Sequence, residues 1–251
     1  MQKFSSAGVE IAFEDMGQGP PVLLIHGFAS NHRVNWVATG WQKTLLDAGY
    51  RVVMFDNRGH GESEKLYSPA EYSAPIMADD ARRLLDHLNI PVAAVMGYSM
   101  GARISAFLTM HYPLRVSKLV LAGLAEGMVL GVPGAEEIGN GLEAATLAAV
   151  TDPGARSFRL FAEQTKSDLR ALAACIRSSR VKIKEEALGQ IRVAVLVVAG
   201  ELDDVAGRVQ PLVDLIPGAK GVVLPGRNHM NAVGDRGYKQ AVLDFLMEGQ
   251  S

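Results

Sequence analysis

Cysteine is almost missing from this sequence: its 251 residues contain one, Cys175. A single cysteine forms no internal disulfide, which excludes a small disulfide-stabilised scaffold. Cys175 lies in the helical pattern DLRALAACIRSS, where we expect a small buried hydrophobic residue rather than a reactive thiol. We therefore expect a reducing compartment, the cytoplasm.

An excess of charge of one sign is also missing. The formal net charge is -2, and basic and acidic residues are spread along the chain, so no electropositive field predicts a nucleic-acid partner. The longest apolar runs, such as VAVLVVAG at 193–200, are far shorter than the roughly 18 residues of a membrane span. The N-terminal residues have no apolar segment after Lys3 and do not resemble a secretory signal. The sequence thus predicts no membrane span.

Nearly unbroken apolar runs alternate with segments of 3.6-residue periodicity. Such runs are typical of parallel strands covered on both faces, and the periodic segments predict helices on both sides of the sheet. The run at 9–17 alternates between polar and apolar residues instead, which predicts an antiparallel edge strand. The six unbroken runs are 21–27, 51–56, 92–99, 116–123, 193–200 and 221–226.

The alternation stops between residues 124 and 190, where no strand signal appears. A structureless loop of that length is improbable in a compact domain, so we expect a helical insertion at the carboxyl ends of the strands, where it could cover a site. The predicted organisation is therefore an α/β core, formed by residues 1–123 and 191–251, with a helical cap at 124–190.

A candidate nucleophile lies where the strand run 92–99 meets a helix. The segment GYSMG places Ser99 between Gly97 and Gly101, the G-x-S-x-G pattern of a sharp strand-to-helix turn that exposes the serine hydroxyl. The alternative is a serine that only caps the following helix. A serine hydroxyl is a poor nucleophile until a base takes its proton and an acid holds that base.

Six histidines are candidates for the base. His229 follows the last strand run, on a loop where its imidazole could reach Ser99. The other five suit other roles. We expect solvated or helix-terminal positions for His87 and His111, turn or supporting positions for His26 and His60, and an exposed loop position for His32.

The chain resembles the α/β-hydrolase family over nearly its whole length. The resemblance implies a mostly parallel eight-stranded sheet with helices on both faces and a small helical cap inserted after the sixth strand. It also implies a catalytic triad in the order Ser99, Asp203, His229. The motifs that carry it are HGFAS, DNRGHGES, GYSMG, GELD and GRNH.

Several carboxylates are candidates for the acid of this triad. Three carboxylates lie together in GELDD, and the family's spacing from the glycine at the strand end selects Asp203 over Glu201 and Asp204. Glu126 remains a second possibility, because some relatives take their acid from the preceding strand. The resemblance also implies that the backbone N–H groups of Phe28 and Met100 stabilise an oxyanion.

Taken together, these features predict an enzyme: a serine hydrolase that cleaves small to medium apolar carboxylic esters, with no metal and no cofactor. Phe28, Tyr98 and Met100 are expected to line the substrate pocket, and a small-molecule ester is the expected partner. Lactonase, thioesterase, carbon–carbon bond hydrolase and perhydrolase activities remain open, because fold and triad do not fix the substrate. A small-ligand receptor with a slow triad is the alternative of another class, and the oligomeric state, homo-oligomers included, is left open.

Overall fold

An eight-stranded, mostly parallel sheet forms the centre of the molecule. The computed structural model describes residues 1–249. The strands lie in the order β1-β2-β4-β3-β5-β6-β7-β8, with β1–β2 and β2–β4 antiparallel and the remaining pairs parallel. The strands are β1 Gln2–Ser6, β2 Val9–Met16, β3 Pro21–Ile25, β4 Arg51–Phe55, β5 Ala93–Tyr98, β6 Val116–Ala122, β7 Ala194–Gly200 and β8 Lys220–Leu224.

Helices cover both faces of this sheet, as the sequence predicts. Four of them begin at a side-chain N-cap, namely Ser73, Asp152, Asp168 and Asp235, which accept hydrogen bonds from N–H groups of the first turn. The helices are α1 Trp41–Asp47, α2 Ala74–His87, α3 Met100–His111, α4 Gly127–Leu130, α5 Ala135–Glu143, α6 Pro153–Gln164, α7 Leu169–Ser179, α8 Glu185–Leu188, α9 Val209–Leu215 and α10 Arg236–Met247. A π-helical turn spans Arg33–Val37, and 3-10 turns span Pro69–Glu71, Pro113–Arg115 and Leu147–Ala149.

The two faces of the sheet have separate hydrophobic cores. Alternate residues of β3 point in opposite directions: Leu23 and Ile25 join the core beneath α2, α3 and α9, while Val22 and Leu24 join the core beneath α1 and α10. All four of these side chains are buried, at 0 to 1% exposed. This two-sided burial explains why the central strands read as unbroken apolar runs.

Strand β1 has no counterpart among the apolar runs. It pairs with β2 through a hairpin whose turn holds Ala7 and Gly8 at positive φ. Only Phe4 and Ser6 of its five residues are buried. So short an edge strand, with one apolar residue buried, does not carry a periodic signal.

The residues between β6 and β7 form five helices, α4 to α8, and the described chain has no strand there. Helix α5 packs on α6 and α7. Because β6 and β7 are parallel neighbours, this segment leaves the sheet at the carboxyl ends of the strands. The division into an α/β core and a cap at 124–190 stays a prediction.

A buried ion pair joins the loop after β4 to helix α2 and strand β1. The Arg58 guanidinium donates from Nε and Nη2 to the Asp80 carboxylate at 2.7 and 2.8 Å, and the Ser6 hydroxyl donates to the same carboxylate at 2.5 Å. Both charged side chains are almost fully buried, at 4% and 1% exposed. Removing one partner of such a pair leaves an uncompensated buried charge.

We therefore expect Asp80→Asn to lower the free energy of unfolding by about 3–5 kcal/mol, measured by urea denaturation. Asp47→Asn is the matched control, because Asp47 pairs with Lys43 on an exposed helix face and such pairs contribute about 1 kcal/mol or less. Equal losses in the two variants would show that the Arg58–Asp80 pair does not hold these elements together.

Candidate active site

A sharp turn between β5 and α3 presents the side chain of Ser99. Ser99 itself has φ 56° and ψ -114°, a strained conformation for a residue with a Cβ. A Cβ on Gly97 would lie 2.2 Å from the carbonyl oxygen of Gly101, and one on Gly101 would lie 1.9 Å from that of Ile25. The two glycines therefore allow β5, α3 and the end of β3 to approach closely enough to form the turn.

Three side chains form a continuous hydrogen-bonded chain at this turn. His229 Nε2 lies 3.0 Å from Ser99 Oγ, and His229 Nδ1 lies 2.9 Å from both carboxylate oxygens of Asp203. The Asp203 side chain is fully buried, while the imidazole is 17% exposed. The structure thus brings together the nucleophile, base and acid that the sequence predicts, at distances suited to proton transfer.

Backbone groups fix the orientation of the Asp203 carboxylate. Its Oδ1 accepts hydrogen bonds from the N–H groups of Val205 and Ala206, at 3.0 and 2.8 Å. These donors hold the carboxylate toward Nδ1 of His229, so that Nδ1–H donates to Asp203 and Nε2 is free to accept the serine proton.

The competing acids have other positions. Glu201 accepts a hydrogen bond from the N–H of Gly226 at 2.8 Å, which ties the loop of Asp203 to the loop of His229. Asp204 is exposed. Glu126 forms an ion pair with Arg208 at 2.6 Å, and hydrogen bonding to that guanidinium lowers the pKa of Glu126. None of the three contacts His229 within the described residues.

Tyr98 binds the backbone of His229. Its hydroxyl donates to the carbonyl oxygen of His229 at 2.6 Å, and its ring packs in the core beneath α1 and α10. Phe28 and Met100 belong to the core on the opposite face. Tyr98 and the pair Phe28 and Met100 thus belong to cores on opposite faces of the sheet. That all three line the substrate pocket stays a prediction.

The loop that carries Phe28 is held rigidly beside Ser99. Asn35 Oδ1 accepts from the Gly27 N–H at 3.0 Å, and His26 Nδ1 lies 2.8 Å from the Gly27 carbonyl oxygen. A Cβ on Gly27 would lie 3.3 Å from that of Ser99. No sequence signal pointed to Asn35, because its contact with Gly27 depends on how the loop between them folds.

The two predicted oxyanion donors lie in positions that leave them unsatisfied by the protein. Met100 is the first residue of α3, so its N–H has no partner within the helix. The Phe28 N–H donates to no protein acceptor among residues 1–249. Both groups belong to backbone that other contacts immobilise, which is the property that oxyanion stabilisation needs.

The helices between β6 and β7 cover this site. The Phe28 ring packs edge-on against Phe158 of α6, with centroids 5.8 Å apart, and Thr165 Oγ1 donates to the carbonyl oxygen of Ala29 at 2.9 Å. Cys175 of α7 lies 3.8 Å, sulfur to sulfur, from Met100. Burial raises the pKa of the Cys175 thiol to about 12, so it is the inert buried residue that the sequence predicts.

Three buried histidines lie under the Phe28 loop. Burial lowers the pKa of His26 to about 4 and that of His60 to about 3. His32 is 3% exposed, so the expectation of an exposed loop residue is wrong. Its Nδ1 lies 2.8 Å from Asp56 Oδ1; burial opposes its charge, but Asp56 outweighs burial and raises the pKa of His32.

Elsewhere, the described chain has no grouping of three or more His, Cys, Asp or Glu side chains that could hold a metal ion. None of its helices has both the length and the apolar character needed to cross a membrane. Two surface hollows, of about 330 and 410 Å³, lie against β2 at the far edge of the sheet. Neither contains a nucleophile paired with a base.

Comparison with known proteins identifies the architecture. A family model described as the alpha/beta hydrolase fold matches residues 20–137. A solved structure of a hydrolase from Pseudomonas aeruginosa superimposes with a TM-score of 0.82 at 26% identity, covering 98% of each chain.

Two curated relatives match about half of the chain. One is a putative non-heme chloroperoxidase from Synechocystis, 36% identical over 121 residues, which are 47% of this chain and 41% of that protein. The other is a 2-hydroxy-6-oxononadienedioate/2-hydroxy-6-oxononatrienedioate hydrolase from Escherichia coli, 35% identical over 126 residues, with the same coverage. The matches thus span about two fifths of the length of these relatives.

The buried histidines predict how stability depends on pH. In the unfolded chain a histidine has a pKa near 6.5. In the folded protein burial lowers the pKa of His26 to about 4 and that of His60 to about 3, so both stay neutral until the pH falls to those values. Between pH 6.5 and 5 the unfolded state therefore binds more protons, and the free energy of unfolding should fall by about 2 kcal/mol for each of the two. His32 offsets only a small part of this loss: its raised pKa lets the folded state bind more protons near pH 6.5, and this difference disappears at the acid end of the window, where the unfolded state is protonated as well.

The test is urea denaturation at several pH values. His60→Asn keeps a donor for the Arg58 carbonyl oxygen that His60 Nδ1 contacts at 2.9 Å, and it should halve the slope of stability against pH. His111→Asn, at an exposed helix end, is the control and should keep the slope. An unchanged slope in His60→Asn would contradict the assignment of a neutral buried imidazole.

Proposed function

The chain belongs to the α/β-hydrolase superfamily, and we propose that it is a serine hydrolase that cleaves carboxylic esters through an acyl-enzyme on Ser99. The observation that carries this proposal is the continuous chain from Ser99 Oγ to His229 to Asp203, at 3.0 and 2.9 Å. A serine in this arrangement can lose its proton as it attacks, which an isolated hydroxyl cannot do at neutral pH.

In the acylation step, His229 Nε2 takes the hydroxyl proton while Ser99 Oγ attacks the ester carbonyl. Asp203 keeps the proton on Nδ1 and stabilises the imidazolium that forms. The carbonyl oxygen gains negative charge and accepts hydrogen bonds from the N–H groups of Phe28 and Met100, each of which contributes about 3 kcal/mol in comparable sites. His229 then gives its proton to the leaving alcohol.

Deacylation repeats the sequence with water as the nucleophile. His229 takes a proton from water, the hydroxide attacks the acyl-enzyme, and the same two N–H groups stabilise the second oxyanion. The carboxylic acid leaves as Ser99 regains its proton. The anchored loop around His229, held by Tyr98 and by Glu201, keeps the imidazole in place through both steps.

A carbon–carbon bond hydrolase is the second candidate, favoured by the match to the E. coli hydrolase. The same triad and N–H groups could serve a lactone, thioester or peracid substrate as well, because they act on any activated carbonyl. A panel of esters, thioesters, lactones and vinylogous diketones on purified protein would rank these activities.

The nucleophile is tested with short p-nitrophenyl esters. We expect steady multiple turnover by the wild-type protein, and a loss of about 10⁶-fold in kcat in Ser99→Ala. A single burst of p-nitrophenol with no steady state would instead favour a receptor that retains a slow triad.

The acid is tested by two neighbouring substitutions. Asp203→Asn should lower kcat by about 10³- to 10⁴-fold, because an amide no longer holds the imidazole in the right tautomer. Asp204→Asn, at an exposed position one residue away, should leave kcat within about twofold, near the level expected of a surface substitution. A comparable loss in Asp204→Asn, or a larger one in Glu126→Gln, would overturn the assignment of Asp203.

A further inference from the structure

Two arginines near the candidate active site have no carboxylate partner among residues 1–249. Arg103 of α3 is 2% exposed and donates only to carbonyl oxygens, those of Gly127, Met128 and Val181. Arg180, which follows α7, donates from Nη1 alone, to the carbonyl oxygens of Val132 and Pro133.

Other arginines of the same helices are ion-paired. Arg159 of α6 pairs with Glu163 at 2.7 Å, and Arg177, three residues before Arg180, pairs with Glu143 at 2.8 Å. Arg156 and Arg170 also have no carboxylate partner among the described residues, but both are exposed to solvent.

Burial is what distinguishes Arg103 and Arg180. Both are wholly or partly removed from solvent without a carboxylate to balance their charge.

Arg180 lies beside the helices that cover the site. Its guanidinium carbon is 5.7 Å from the centre of the Phe158 ring, and that ring packs against Phe28, whose N–H is a proposed oxyanion donor. Arg103 also places Arg180 near Ser99. Arg103 lies one helical turn after Ser99, about 6 Å along the axis of α3. Its guanidinium donates to the carbonyl oxygen of Val181, the residue after Arg180.

The positive charges of Arg103 and Arg180 are not balanced by a nearby anion among the described residues. Burial lowers the pKa of Arg180 to about 10, and burial together with the charge of Arg180 lowers that of Arg103 to about 10. Two positive charges held close together at a partly desolvated site attract an anion. Arg180 is half-buried, and its Nε and Nη2 have no acceptor among residues 1–249.

We propose that Arg180 binds a carboxylate group of the substrate, with the charge of Arg103 reinforcing it, so that the natural substrate is an anionic ester or related acyl compound. The free Nε–H and Nη2–H edge of a guanidinium matches a carboxylate with two parallel hydrogen bonds. This inference rests on the proposed hydrolase function and replaces the wholly apolar substrate expected from the sequence.

The experiment compares two esters of equal chain length, mono-p-nitrophenyl glutarate and p-nitrophenyl valerate. The measured quantity is the ratio of their kcat/KM values, charged to neutral. We expect the wild-type ratio to exceed one and Arg180→Gln to lower it by about 10- to 100-fold, the effect of a hydrogen-bonded charge pair. Arg180→Lys, which keeps the charge but loses the paired donors, should fall between them.

Arg170→Gln is the matched control, because Arg170 lies at the start of α7, the helix that Arg180 follows, with its guanidinium over the exposed ring of Tyr67. It should keep the wild-type ratio. A purely structural role for Arg180 would lower kcat/KM for both esters equally and leave the ratio unchanged, which would overturn the proposal. So would a wild-type ratio of one or below.

A binding measurement separates this proposal from the hydrolase function. If the wild-type protein turns over neither ester, the hydrolase proposal fails, and calorimetric titration with monomethyl glutarate tests Arg180 alone. Binding to the wild-type protein that weakens at least tenfold in Arg180→Gln supports the carboxylate subsite. Absence of binding, or equal binding by the two proteins, contradicts it.

Discussion

The close approach of three backbone segments at Ser99 is the constraint on which the site depends. The carbonyl oxygens of Ile25 and Gly101 occupy the space where side chains at Gly101 and Gly97 would lie. This contact forces Ser99 into its strained conformation at φ 56°, which directs the hydroxyl away from the sheet and leaves the Met100 N–H at the open end of α3. One packing arrangement thus positions both the proposed nucleophile and one of the proposed oxyanion donors. The strain is maintained because the strands on either side are buried on both faces and cannot relax.

The other half of the site is built from loops, yet it is anchored almost as firmly. The base was expected on a loop from which its imidazole could swing, but Tyr98 binds the backbone of His229 and Glu201 joins its loop to that of Asp203. Tyr98 belongs to the core under α1 and α10, whereas Phe28 and Met100 belong to the core under α2 and α3. The triad therefore draws its rigidity from both faces of the sheet. The helices that carry Phe158 and Cys175 cover the site through their contacts with Phe28 and Met100.

Features that are encoded within a few consecutive residues could be predicted from the sequence, whereas features that depend on the fold could not. The parallel part of the sheet and the turn at Ser99 depend on unbroken apolar runs and on glycine spacing, which can be recognised over a few residues. The count of eight strands came from the resemblance to a family. Asp203 and His229 needed the resemblance to a family, because nothing local separates Asp203 from Asp204. Strand β1 was not predictable because it buries only one apolar residue, so it carries no periodic signal. The burial of His32 depends on Asp56, 24 residues away, and the contact of Asn35 with Gly27 depends on the fold of the loop between them.

The unpaired charge of Arg180 is also a property that depends on the fold. Its role is invisible in the sequence, where it is one of several arginines in a helical stretch with acids nearby. Only the folded arrangement shows that Arg159 and Arg177 take the available carboxylates, while Arg103 and Arg180 are left with neutral carbonyl oxygens. A protein that desolvates a cation without supplying an anion loses stability unless something else provides the countercharge. At a site where an ester would bind between Phe158 and Ser99, a substrate carboxylate is the group best placed to do so, and the same contact would orient the scissile carbonyl toward the N–H groups of Phe28 and Met100.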